Sequence, residues 1–473
     1  MMRSLYSGVA GLKTHQTRMD VIGNNIANVN TTAYKSQSMT FSDLMYQTTQ
    51  AASGANATTG VGGTNARQIG LGSKTSAIKT AITTQGATQT TNDPFDLMIT
   101  GDAFFVVSNG SENFFTRDGS FYVDGAGNLA MTSTGYNVMG WLPDPENPNV
   151  IKPDNVQALR VMTADNMYYE AEASTAATVS GIIDTNDKNV TSADGRVVNL
   201  DFYDSKGFTY TARFTLHDAD TSADDGLFYI QLEDILDSNG KSIVDTANGK
   251  TITDYVELDA QTVTPAGGTA LAAGKGAYVK YDAGTGKFQC VGELATATEG
   301  KSAISLNIKD TAALPSFKNI SIDFSATSNQ NNNGSSTFTM TRGDAKNLGA
   351  GRKLGEMSGI SIAKDGKIYA SYDNGMDRLL GQIAVATFAN ASGLEKEGDN
   401  LYSATQNSGE FNGVGEDITV GGGYMNSGVL EMSNVDLSAE FTEMITTQRG
   451  FQANSRIITV SDTLLEELTN LKR

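Results

Sequence analysis

Residues able to do chemistry are scarce in this chain. Two histidines, His15 and His217, and one cysteine, Cys290, are all the imidazole and thiol in 473 residues, too few ligands for an ordinary transition-metal site. A serine nucleophile would need a base and an elbow such as G-x-S-x-G. His217 has no such motif near it and reads as a strand-end residue. Cys290 lies in Phe288-Gln289-Cys290-Val291, a strand-like setting where a small buried thiol is the ordinary outcome. Gly268 to Lys275 approaches a phosphate loop, but five residues separate Gly268 from Gly274 and Gly276 stands where Ser or Thr should hold the metal. Asp218, Asp220, Asp224 and Asp225 resemble a calcium loop, yet Ala223 replaces the turn glycine and Tyr229 the bidentate glutamate, which leaves an acidic surface turn. The expectation is a protein that is no enzyme and carries no cofactor or metal.

Bulk properties narrow the class further. Asp+Glu 53 against Lys+Arg 34 gives a net charge of −19, which excludes a general nucleic-acid binder because polyanion binding needs cations to displace counterions. No apolar run is long enough for a membrane-spanning helix, and Met1 to Ser7 lacks the apolar core and cleavage site of a secretory signal. One cysteine allows no intrachain disulfide. Gly 50 against Pro 7 points to many tight turns between short strands.

The elements follow from periodicity. Leu5, Val9, Leu12, Met19, Ile22, Ile26 and Val29 place one apolar stripe along an N-terminal helix. Phe441, Met444, Phe451, Ile458, Leu465 and Leu468 approach a heptad seam on a C-terminal helix, with Asp436 or Ser438 as N-cap and Glu440 and Glu443 at its positive end. Neither helix has a core beside it in sequence, so the two must pack on each other or on other copies. Their charges are complementary: residues 1 to 80 carry seven basic and two acidic side chains, residues 431 to 473 four basic and seven acidic.

Between the ends the period becomes two. Ala103 to Ser108, Asn113 to Thr116, Phe121 to Asp124 and Leu129 to Thr132, punctuated by Asn109-Gly110, Asp118-Gly119 and Asp124-Gly125, predict a β-meander. Val198, Leu200 and Phe202 predict a hairpin with Phe208, Tyr210, Ala212, Phe214 and Leu216 in one parity. Residues 47 to 66 are polar and own no core. The prolines between Pro143 and Pro153 mark an outward crossing, and the Asn-rich run Asn329 to Ser336 the return. The predicted fold is mainly β with terminal α-helices, its nested β domains (meander or sandwich-like) inserted between an N-terminal and a C-terminal coiled-coil helix. The expected divisions are 1–35 with 432–473 (paired helices), 36–84 (an extended segment), 85–150 with 345–431 (inner β domain) and 151–344 (outer β).

Three blocks resemble one family, the axial rod and hook proteins of the bacterial flagellum, its hook members most closely. They are Leu5 to Lys35, ending Asp20-Val21-Ile22-Gly23-Asn24-Asn25-Ile26-Ala27-Asn28-Val29-Asn30-Thr31-Thr32-Ala33-Tyr34-Lys35; Asp96 to Gly140; and Ser427 to the end, with Ser433-Asn434-Val435-Asp436-Leu437 and Gln448-Arg449-Gly450-Phe451-Gln452-Ala453-Asn454. The motif residues singled out are Asn24, Asn25, Asn28, Asn30, Thr31, Tyr34, Lys35, Gln448, Arg449 and Asn454. Ala33 stands where the family usually has Gly, which predicts a turn without positive φ.

The resemblance implies that both helices line the inner tube of a helical homopolymer with the β domains outside. It further implies unfolded passage through the flagellar type III export apparatus, location in the extracellular flagellum, and contact with the distal rod, the hook cap and the hook-filament junction proteins, with no nucleic acid and no membrane span. A distal rod or junction protein is the alternative within the family, favoured by the polar 47–66 insert. A secreted β-sandwich adhesin or carbohydrate-binding protein is the rival from another class. In a bending tube, outer contacts should be polar and exchangeable and the helical seam apolar and permanent.

Overall fold

The computed structural model describes residues 2–54, 60, 62–219, 226–244, 249–259, 271, 274–292 and 301–471. Asp220, Ala223, Asp224, Asp225 and most of the Gly268 to Lys275 loop lie outside the described residues. The chain forms two compact units: residues 1–166, 359–371 and 377–473, and residues 167–358 with 372–376.

In the first unit the apolar periodicities at the ends become helices at Met2–Ala27 and Leu437–Asn470. Asp436 is the N-cap of the second, its carboxylate accepting from the backbone N–H of Ser438 at 2.9 Å and of Ala439 at 3.3 Å, which satisfies donors that a helix start leaves orphaned. The first helix gives way to a turn in which Ala33 adopts φ +55°, contrary to the expectation from its missing glycine. Its N–H donates to the Glu431 carbonyl at 2.8 Å and its side chain is buried, so surrounding contacts outweigh a left-handed penalty of about 1–2 kcal/mol.

Residues 36–84 are mostly a long two-stranded ribbon. Gln37–Asp43 pairs with Ser73–Thr80 and Tyr46–Gln50 with Arg67–Gly70, all antiparallel. The second pair is exposed at every position, as its polar composition requires. The β body of this unit has the strand order Asp377–Ile383, Asn137–Trp141, Phe104–Ser108, Asn113–Thr116, Leu401–Ser403, Glu395–Gly398. Its core is aromatic: Phe104, Phe115 and Tyr402 are buried, with the Phe115 and Phe388 rings edge to face at 4.7 Å.

Asp118-Gly119 is not a hairpin turn, because Asn113–Thr116 pairs with Phe104–Ser108 and Leu401–Ser403 and not with Phe121–Val123. Gly119 is instead a close approach, since a Cβ there would overlap the Leu97 carbonyl. The proline-rich stretch also does not end the unit. Gln157–Ala158 returns to pair with Asn137–Trp141, and Leu159 and Val161 are buried, so the unit runs on to residue 166.

The second unit is a β-sandwich. One five-stranded sheet has the order Val256–Leu258, Ala303–Ile308, Ile320–Asn329, Ala176–Ile183, Thr339–Arg342; the other runs Arg196–Tyr203, Thr209–Asp218, Leu227–Asp237, Gly276–Tyr281, Phe288–Val291. Val179, Leu200, Phe214, Phe228, Ile322 and Phe324 from both sheets share one core. The predicted hairpin parity holds for Ala212, Phe214 and Leu216, but Phe208 sits in the loop and is 61 % exposed. The Asn-rich run is no crossing: it joins two strands of this unit, and the buried Asp184 carboxylate accepts from Asn332 N at 2.6 Å and Gly334 N at 2.8 Å. The pairing of Tyr168 with Glu356 brings the start and end of the long segment side by side.

Candidate assembly interface

The two terminal helices pack antiparallel. Gly8 lies against Ile458, Gly11 against Asn454 and His15 against Gly450; further along, Arg18 pairs with Glu443 at 3.0 Å and Asn25 Nδ2 donates to Glu440 at 2.8 Å. The approach depends on glycine. A Cβ on Gly11 would come within 2.7 Å of Asn454 Nδ2, and one on Gly450 within 2.6 Å of the His15 ring. Thr14, Thr447 and Ser461 are buried, whereas Phe441, Phe451 and Leu468 are not. Of the heptad seam, Ile458 joins this contact through Gly8, while Phe441, Phe451 and Leu468 stay outside it. Small and polar residues let the backbones come close, and larger side chains are displaced to other faces.

Of the other stripe residues, Ile22 is buried, Leu5, Leu12, Met19, Ile26, Met444, Ile458 and Leu465 are half-buried, and Val9 is exposed. Burial pushes the His15 pKa down, with the Arg18 charge adding to the effect. Burial raises that of Glu440, against the hydrogen bond from Asn25.

Below the helices a polar knot ties both chain ends to the β body. Asn25 is fully buried and uses all its valences: Nδ2 donates to the Gln37 carbonyl and Glu440, and Oδ1 accepts from Gln37 N and the Tyr34 hydroxyl. Asn24 Nδ2 donates to the same hydroxyl at 3.2 Å, and Asn28 bridges Asn24 and Thr31. Lys35 Nζ meets Glu431 Oε1 at 2.6 Å, both side chains nearly inaccessible to water, and donates to the Thr84 carbonyl at 2.8 Å. Burial lowers the Lys35 pKa, opposed by the Glu431 carboxylate. The buried Arg117 guanidinium stands 3.9 Å from the other Glu431 oxygen and lies over the Phe104 ring. Asn434 accepts from Ser36 N at 2.7 Å and donates to the Ala81 and Thr84 carbonyls.

Structure thus joins Asn24, Asn25, Asn28, Thr31, Tyr34 and Lys35 in one network and sets Asn454 between the helices. It leaves Asn30, Gln448 and Arg449 exposed, outside both. Glu431, Asn434, Arg117, Gly8, Gly11 and Gly450 were not singled out from sequence. The glycines had a signal, two of them three residues apart on the N-terminal helix; the charged pair, 396 residues apart, had none. Elsewhere, His217 stacks on Tyr229 at 4.9 Å and Cys290 is buried, its thiol pKa pushed up by desolvation. No helix among the described residues is long and apolar enough to cross a membrane.

Three family descriptions map onto these parts: "flagella basal body rod protein" on residues 5–35, "flagellar hook protein FlgE/F/G D1 domain" on 98–166, and "flagellar basal body rod FlgEFG protein C-terminal" on 426–471. The chain belongs to the flagellar FlgE/F/G family of hook and rod proteins. It is 34 % identical to the flagellar hook protein FlgE of Treponema pallidum over 485 aligned residues and 36 % identical to that of Borreliella burgdorferi over 491, each alignment covering all of both chains. The flagellar basal-body rod protein FlgG of Bacillus subtilis is 30 % identical, again over all of both chains.

Proposed function

We infer that this chain is a structural subunit of the bacterial flagellar hook, polymerising into a flexible tube that couples rod to filament and transmits torque. The observation that carries this reading is the end-to-end similarity to two hook proteins at higher identity than to the rod protein. The physics agrees: a paired-helix terminus with large apolar side chains left uncovered is an incomplete core, which a neighbouring copy can complete. On this reading the terminal helices form the inner tube, the β units lie outside it, and the role is mechanical, not catalytic. The proposed partners beyond other copies are the distal rod, the hook cap and the hook-filament junction proteins. The route is export as an unfolded chain through the type III apparatus to the cell exterior.

Prolonged incubation of the purified chain at high salt, followed by electron microscopy, tests the reading. Tubes are expected; a monodisperse monomer at every salt concentration refutes it.

A further inference from the structure

We propose that the subunit-to-subunit contact joins two different surfaces of the terminal pair: an apolar groove on the N-terminal helix of one copy receives an apolar ridge on the C-terminal helix of the next. This rests on the hook reading above and adds to it the faces that meet.

The groove, about 400 Å³, is lined by Tyr6, Val9, Ala10 and Lys13 of the helix and by Leu44 and Leu71 of the ribbon. Tyr6 is 65 % exposed and Val9 48 %. The ridge is Ile457, Val460, Leu464, Leu468 and Leu471, spaced 3, 4, 4 and 3 residues apart and all exposed. A helix turns about 100° per residue. Tyr6 and Lys13 are therefore about half a turn from the Gly8, Gly11 and His15 face that meets the C-terminal helix. The ridge lies about a quarter turn from the Asn454, Ile458 and Ser461 face that meets the N-terminal one. A chain cannot fold its own ridge into its own groove without dismantling that antiparallel pair.

A second copy is thus the occupant. Lys13 stands at the groove and Glu467 is exposed beside the ridge, in line with the basic N-terminal and acidic C-terminal segments. Because groove and ridge are unlike surfaces, each copy that offers one still has the other free, and the contact propagates as an open helix instead of closing as a dimer.

The test uses the full chain with Val9→Cys and Leu464→Cys together; Cys290, the chain's own thiol, is buried. Mild oxidation after polymerisation should give a ladder of covalent oligomers on a non-reducing gel, absent from either single-cysteine chain. Independently, Lys13→Glu should slow tube growth roughly two- to fivefold at low salt, and adding Glu467→Lys to the same chain should restore it. Tubes without a ladder, or no recovery in the doubly reversed chain, overturn the face assignment while leaving the hook reading standing. Failure of the unaltered chain to form tubes removes the hook reading itself.

Discussion

Replacing Glu431 by alanine should unfold the first unit early while sparing the second. The Glu431 side chain is 1 % exposed and its Oε1 accepts from Lys35 Nζ at 2.6 Å and from Gly86 N at 2.9 Å, with Arg117 behind it. The substitution strands two buried cations and a backbone N–H together. Breaking a buried pair from one side costs about 3–5 kcal/mol, and about 2–4 °C is lost per kcal/mol in a unit of this size, so a fall of about 6–20 °C is expected. The readout is built in. Trp141 is the single tryptophan, 3 % exposed, and its indole N–H donates to the Asp154 and Val414 carbonyls at 2.9 Å, all within the first unit. Its fluorescence follows that unit alone, and calorimetry follows both. Glu431→Gln, which keeps shape and loses charge, should fall between wild type and Glu431→Ala. A Trp141 transition moved by less than about 2 °C, or an equal shift of both calorimetric transitions, refutes the argument.

Other expectations concern the helices and the nesting. Gly11→Val or Gly450→Leu should force the pair apart and abolish tubes in the electron microscope, with the Trp141 transition nearly unmoved. Removing residues 1–30 and 436–473 should leave a cooperatively melting β protein that never polymerises; outright unfolding would show that the helices support the body as well. Because His15 is held below its ordinary 6.5 by burial, the unfolded chain takes up a proton before the folded one. The stability it contributes is complete above 6.5 and is lost as pH falls below it. Protection of the N-terminal helix from proteolysis should drop across that window, and His15→Gln should flatten the drop. Replacing residues 170–354 by a short Gly/Ser linker should preserve the Trp141 transition, since Tyr168 and Glu356 are paired neighbours; its loss argues against nesting.

What could be read from sequence was local. The helices, the Asp436 cap and the hairpin from Arg196 to Asp218 follow from spacing and turn chemistry acting over a few residues. The face on which the helices meet did not follow, because apolar spacing locates the large side chains whereas the contact is made where side chains are small. The Asn-rich run was misplaced for a related reason: its composition permits a linker, and Asp184 and Asp187, distant in sequence, make it a capped loop. Ala33 shows the same limit, since the contact that holds its backbone comes from Glu431.

The Lys35–Glu431 pair also acts as a check on chain length. A ribosome adding about 5–20 residues/s needs about 20 to 80 s to cover the 396 residues between them, and throughout that time Lys35 lacks the carboxylate it is buried against. Any product that stops short of residue 431 lacks that carboxylate permanently. Its inner unit cannot close around Lys35 and Arg117 without stranding charge, and the C-terminal helix that would mate with a neighbour is missing as well. Completeness of the polypeptide is thereby converted into competence to fold, so a prematurely terminated copy is rejected by its own energetics before it could weaken a polymer whose every subunit bears load.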